Sequence, residues 1–516
     1  MLLLQANTTS LFSVTDLKLI APELILTACA CFALVMEVVL PYRKSKMTAY
    51  FSLIGIALAM ASLVLQIQQV WYEGSSSGFY GMVRIDGLAL LFRAIFLIAA
   101  ALAVGISTRF LDIEGEQHGE YYALVLFATV GMMFMACGYD LITLYISLEL
   151  MALTFYVLVA FTKREKKSNE AAMKYFLLGA FSSGVLLYGM SLLYGIAGAT
   201  NIGEISSAVS RLSGLTVSEA QNWGDLRPML LLAMLALAAG LFFKVAAVPF
   251  HMWAPDVYEG APTSVTAFLS TGSKAASFVL FIRIFNQALI GMSADWAPLL
   301  GLVAAITIMV GNWAAVTQEN SKRLLAYSSI SNAGYLLLGL VAANSYGYIG
   351  LVIYLLVYTF MNMGAFGVII SLRRRGIIGD NIEDLTGLSY KSPGWAVSMG
   401  VFMLSLGGLP ITGGFIGKYF LFYGLLKAGE STGKHWYYWL AIWAILNTVV
   451  SFYYYFRFIK VMFLGDRLAD DRPLALSTAL RISVAVSVAG ILVIGIFPQR
   501  LVALAETLIK AALFPG

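Results

Sequence analysis

Charge is what this chain has least of. Only 12% of its 516 residues are Asp, Glu, Lys or Arg, against 60% hydrophobic, and the mean hydropathy is +0.83. Soluble domains average roughly a quarter charged residues, so a soluble globular chain is excluded and a polytopic membrane protein remains. Cysteine is scarcer still: Cys29, Cys31 and Cys137 are the only three, and all lie in apolar runs. Residues two apart on a helix point away from one another, so Cys29 and Cys31 make a poor metal site. The sequence has no CxxC set for an iron–sulfur cluster and no GxGxxG after a strand pattern. It therefore gives no signal of a redox cofactor, nucleotide or metal on this chain. The formal charge of +5 comes from short basic clusters between apolar runs, which is a topology signal and not a nucleic-acid surface.

What is abundant is membrane-spanning length. At about 20 apolar residues per crossing, the expectation is an all-α polytopic fold with about fourteen transmembrane helices. They fall at 19–40, 47–70, 85–107, 121–137, 140–161, 171–197, 226–248, 262–290, 298–317, 324–342, 346–372, 394–427, 437–464 and 477–497. The first run has no basic stretch before it and is long enough to span, so it reads as an uncleaved helix. Segments 201–223 and 500–513 mix apolar with charged residues and read as interfacial. Lys and Arg cluster in the odd-numbered connections, at Arg43–Lys46, Lys163–Lys167, Lys322–Arg323 and Arg373–Arg375, while Trp71–Met82 carries none. The odd connections are thus expected to face the cytoplasm, with both termini on the opposite, lumenal side.

A charge inside a span is costly enough to mark a functional site by default. Glu149 lies about halfway down span five, Lys174 opens span six, Lys244 closes span seven and Lys274 follows a polar run in span eight. For Lys174 the competing reading is a structural ion pair or a lysine snorkelling to the interface. Lys244 stands five residues before Pro249, which heads the connector PFHMWAPDVYEGAP to Pro262. Proline removes a backbone donor and disfavours helix before it, so a helix break is expected there. His251 in that connector reads equally as a proton relay or as an interface residue. Span twelve repeats the device in GGLPITGGFIGK, with Pro410, Gly413 and Gly414 before Lys418. Gly417 and Lys418 do not form a phosphate loop, because Thr412 and Tyr419 stand where glycine and a hydroxyl residue are needed.

The two breaks are five spans apart, so their helices run in opposite directions through the membrane. Paired breaks in inverted halves point to an ion site. The expected organisation is an N-terminal three-helix bundle (1–120), two inverted five-helix repeats (121–290 and 291–465) with helices 7 and 12 broken, and a last helix with an interfacial segment (466–516).

The connector motif, Gly272 to Lys274, and IEDLTGL at 382–388 resemble the proton-pumping NAD(P)H:quinone oxidoreductase (complex I) family, in its antiporter-like subunit 2. The stretch Lys163–Ala172 and the length of the N-terminal bundle are similar to the cyanobacterial and chloroplast type. The resemblance implies a proton-translocating membrane-arm subunit without a redox centre of its own. Any flavin or iron–sulfur centres would sit on partner subunits, plastoquinone would be the complex's substrate and the thylakoid membrane its location. Other membrane-arm subunits, a second antiporter-like subunit among them, would be its partners, together with lipids. The family's proton-pathway residues carry over to Glu149, Lys174, Lys244, Lys274 and Lys418, and the histidine that some members place in helix ten has no counterpart at Asn332. The expected mechanism has Glu149 and Lys244 paired at rest, with Lys244 releasing its proton toward Lys274 and Lys418. The rivals are a stand-alone Mrp-type cation/proton antiporter and a structural scaffold subunit in which the charges only lock helices.

Overall fold

The computed structural model describes residues 14–39, 46–213, 226–373, 380–466, 474 and 476–513. Four of the basic residues used for orientation, Arg43, Lys44, Arg374 and Arg375, lie outside these, as does the second half of segment 201–223. Among the described residues, thirteen helices are long and apolar enough to cross a membrane. Their order is α1 (Ala21–Val39), α2 (Lys46–Glu73), α3 (Gly87–Glu114), α4 (Gly119–Cys137), α5 (Leu141–Val159) and α6 (Lys166–Ala197). Then come α7 (Leu226–Val245), α8 (Thr263–Ala288), α9 (Ser293–Val316), α10 (Ser321–Ala342) and α11 (Ser345–Leu372). The expected twelfth span is two shorter helices, α12 (Pro393–Gly407) and α13 (Gly413–Thr432), after which α14 (Trp436–Leu464) and α15 (Thr478–Ile496) complete the set. The difference from fourteen falls at this crossing: α12 is only 15 residues long, and α13, at 20, carries Lys418, Lys427 and Glu430. Two further helices, Ile202–Ser213 and Pro498–Leu513, are amphipathic.

Local chemistry sets the helix starts. Asp86, Asp140, Asn320 and Asn344 each accept a backbone N–H from the first turn of α3, α5, α10 and α11, satisfying donors that an apolar bundle leaves orphaned. Packing then sorts the helices by burial. α8, α10 and α11 are buried along almost their whole length, whereas α1, α2, α6, α14 and α15 expose much of theirs. α11 is the hub, packed against α3, α10, α12, α13 and α15. The polar and charged side chains that matter therefore sit on or beside the innermost helices.

Both breaks leave backbone groups that hydrocarbon cannot satisfy, and side chains take them up. α7 ends at Val245, Ala246 is left-handed (φ 58°), and the Val248–Pro249 bond is cis. The Trp253 indole N–H donates to the Phe243 carbonyl at 2.9 Å, and Val248 N–H donates to Thr307 Oγ1 of α9 at 3.0 Å. At the second break α12 ends on Gly408, whose φ of 87° suits glycine. Gly414 opens α13 so close to α12 that a Cβ there would lie 1.9 Å from the Ser405 carbonyl oxygen. Any side chain at 414 would push the two pieces apart.

Candidate functional site

Four lysines are buried in this apolar bundle: Lys322, at the start of α10, is paired with Asp380 at 3.7 Å, and the other three have no carboxylate in contact among the described residues. Lys244, at the end of α7, donates to Ser183 Oγ of α6 at 3.1 Å. Lys274 lies in α8 just after a π-helical turn, Leu269–Ser273, a local widening that frequently marks functional sites. Its ammonium donates to the Ser329 carbonyl and hydroxyl of α10, the latter at 2.5 Å, and sits 5.7 Å from the centre of the Tyr358 ring. Lys418, in the first turns of α13, reaches back to the carbonyls of Leu406 (2.9 Å) and Gly407 (3.3 Å) at the end of α12. There it meets the negative end of a helix dipole, and the Tyr335 ring centre lies 4.7 Å away. None of the three forms a direct ion pair; their contacts are hydroxyls, carbonyls and ring faces. An ammonium so held is paid for by dipoles and not by a fixed counter-charge, which keeps loss of its proton from stranding a buried carboxylate.

Glu149 is placed differently from the expectation. It does not pair directly with Lys244, and its Oε1, although buried, makes no hydrogen bond. The two charges interact only through space. The reason is azimuth: Ile142, Ile146, Leu153 and Val157 form the exposed stripe of α5, and Glu149 falls in the same helical register. Lys174 is half-exposed and ion-paired to Glu170 at 2.8 Å and Asp256 at 2.9 Å. Asp256 in turn meets Arg323 at 3.2 Å, and Glu259 bridges Arg323 and Lys167. Lys174 therefore belongs to a surface ion-pair network, apart from the buried lysines. His251 is partly buried, its Nδ1 without a hydrogen bond, between exposed Phe250 and Met252. Pro249 and Pro410 fall inside the breaks, whereas Gly413 and Gly414 begin the helix that follows.

Two fully buried ion pairs escaped the sequence reading. Arg283 of α8 makes two bonds, 2.7 and 2.9 Å, to Asp86 and a third to the Ala136 carbonyl. Arg93 of α3 meets Glu23 of α1 at 2.6 Å and Gln66 of α2 at 3.0 Å. The same rule that singled out the lysines, charge within an apolar span, was available for Glu23, Arg93 and Arg283. Among the described residues no group of three or more His, Cys, Asp or Glu side chains is placed to hold a metal ion.

Two broken helices, each with a buried lysine lacking an ion-pair partner beside its break, define a membrane protein of the antiporter-like class. Residues 138–445 match the family model described as NADH:quinone oxidoreductase/Mrp antiporter, transmembrane. NADH-quinone oxidoreductase subunit N 2 of Solibacter usitatus is 48% identical over 502 residues, 96% of this chain and 98% of that one. A chain of respiratory complex I from Thermus thermophilus superposes with a TM-score of 0.75 at 32% identity, covering 94% of this chain and 99% of that one. A chain of the Mrp complex from Dietzia shares the fold, with a TM-score of 0.80 at 21% identity over 97% of this chain and 98% of that one. The chain belongs to the NADH:quinone oxidoreductase/Mrp antiporter transmembrane family, and it is an integral, multi-pass membrane protein.

Proposed function

We propose that this chain is the subunit N of an NADH-quinone oxidoreductase, a proton-translocating part of the membrane arm that carries no redox centre itself. The observation that carries the reading is the set of three buried lysines without ion-pair partners, in a chain 48% identical to a subunit of that name. Lys244, Lys274 and Lys418 are the proton carriers in this reading. Glu149 is the charge through which a neighbouring subunit acts, and His251 is at most an accessory relay. Lys174 has a structural role on the surface. The division into an N-terminal bundle (1–120), two inverted repeats (121–290 and 291–465) and a closing segment (466–516) is part of the proposal. It draws support from the two breaks, at 246–252 and 408–412.

The test is purification of the tagged full chain from its native membrane. It should bring down other membrane-arm subunits together with NADH-driven quinone reduction. Cation/proton exchange by the purified chain alone in vesicles would instead support the Mrp-type reading. The finer assignment to a thylakoid membrane and plastoquinone is supported by the resemblance of Lys163–Ala172 and of the N-terminal bundle's length alone. The names of the relatives favour an NADH-linked enzyme, and quinone preference of the purified complex separates the two.

Lys and Arg bias further supports cytoplasmic placement of 162–169 and an opposite placement of 71–82 with both termini. Ser168 is buried and bonded to the Val159 carbonyl at 2.6 Å, so a labelling site belongs at exposed Arg164. Cysteines at Ser75 and Arg164 should react with an impermeant reagent from opposite sides; reaction of both from one side refutes the topology. Because Glu149 acts on Lys244 without contact, Glu149→Gln is expected to lower proton uptake partially, with assembly and quinone reduction retained. A complete loss would mean that a direct pair forms in the working complex, and wild-type uptake would remove Glu149 from the mechanism.

A further inference from the structure

Lys274 and Lys418 are separated by α10, α11 and α14, and none of these three helices contains an Asp, a Glu or a His. Lys322 is engaged by Asp380 at 3.7 Å and the Ala261 carbonyl at 2.9 Å, and Lys460 is exposed, so a proton that passes between the two lysines has no carboxylate, imidazole or free buried amine on those helices to use. What the helices do contribute is a buried cluster of hydroxyls around one amide. Ser328 Oγ and Tyr455 OH are 2.5 Å apart. Tyr354 OH donates to Asn332 Oδ1 at 2.6 Å, while Asn332 Nδ2 faces Ser328 Oγ at 3.4 Å and Tyr455 OH at 3.5 Å. All four side chains are buried. Ser328 neighbours Ser329, the acceptor of Lys274, and Tyr354 packs against Gly417 beside Lys418: a Cβ on Gly417 would lie 2.7 Å from the Tyr354 ring. The cluster thus reaches from one lysine's partner to the other lysine's helix.

We propose that Tyr455 and Tyr354, with Ser328, relay the proton between Lys274 and Lys418, and that Asn332 is the positioning residue that holds them. This rests on the functional reading above and deepens it. A hydroxyl both accepts and donates, so each oxygen takes a proton from one side and gives its own to the other. The Lys274 ammonium loses one N–H proton to the Ser329 hydroxyl, and the Lys418 amine gains one. No hydroxyl keeps a net charge, and only O–H and N–H bonds are exchanged. Water, the one further participant, links Ser329 to Ser328, Tyr455 to Tyr354 past the Asn332 amide, and Tyr354 to Lys418; the Tyr358 hydroxyl, buried beside Lys274 without a hydrogen bond, is a partner for it. Asn332 cannot pass a proton this way, but its amide fixes both tyrosines. Tyr122 of α4 supplies the internal control: it is buried like the relay tyrosines, but its hydroxyl donates to Gln117 Oε1 at 3.2 Å, away from the route.

The experiment measures NADH-driven proton uptake in vesicles holding assembled complexes, with assembly checked by co-purification. Tyr354→Phe/Tyr455→Phe is expected to lower uptake ~10-fold or more, and Tyr122→Phe to leave it close to wild type. Asn332→Leu should lose uptake. Asn332→His should restore it with a new pH dependence near the imidazole's ordinary value of about 6.5, which a merely structural amide would not produce. Wild-type uptake in the double tyrosine variant, while Lys418→Arg remains impaired, overturns the relay and leaves the functional reading standing. Wild-type uptake in Lys418→Arg overturns the functional reading itself.

Discussion

Complexes carrying Lys418→Arg are expected to assemble and yet to lose most of their coupled proton uptake. Lys418 has two readings in the structure. It caps the C-terminal carbonyls of α12, with bonds of 2.9 and 3.3 Å to Leu406 and Gly407, and a cation in that place stabilises a helix end whatever else it does. It is also a buried ammonium without a carboxylate partner, which is what a proton carrier must be to give up its charge. Arginine separates the two. Its guanidinium donates to carbonyls at least as well and keeps the positive charge beside the Tyr335 ring, but with a pKa above about 12 it does not release a proton in proteins. A capping residue tolerates the change; a carrier does not. Lys174→Arg is the matched comparison, since the surface pairs with Glu170 and Asp256 survive the substitution, and near-normal uptake is expected.

The second large effect is on assembly. Arg283 and Asp86 are both fully buried and joined by two hydrogen bonds, and Asp86 also caps α3 by accepting the Ala89 N–H at 2.9 Å. They tie the start of α3 to the end of α8. Removing one partner strands the other charge in a medium that cannot solvate it, a loss of about 3–5 kcal/mol where such pairs have been broken in soluble proteins. Asp86→Ala should therefore sharply lower the yield of assembled complex and its unfolding temperature in detergent. Replacing both partners with apolar residues, as in Asp86→Leu/Arg283→Met, removes the stranded charge and should recover part of the yield. Asp86→Ala complexes as stable and abundant as wild type would show that the pair is dispensable.

The spans and the breaks were legible because they depend on local chemistry: a run of about 20 apolar residues has few alternatives, and Pro249, Pro410 and Gly408 stand between helix ends, while Gly413 and Gly414 open the next helix. Lys244, Lys274 and Lys418 were legible for the same reason, since burial of a charge shows in its neighbours along the chain. Pairing was not. Asp86 and Arg283 are 197 positions apart, and nothing local to either names the other. The failed Glu149–Lys244 contact has a related cause. α5 is apolar on nearly all sides, so its sequence fixes the depth of Glu149 without saying which face turns inward, and packing against α4 and α6 turned that face outward. The hydroxyl cluster around Asn332 draws on α10, α11 and α14, and only the assembled bundle brings their tyrosines together.

The central claim is that the buried lysines of this chain carry protons. The most direct measurement is the initial rate of NADH-driven proton uptake, per assembled complex, in sealed vesicles carrying wild type or Lys418→Arg. The account predicts that uptake falls to a small fraction of wild type while the complex remains intact; uptake at the wild-type rate in the arginine variant would contradict it.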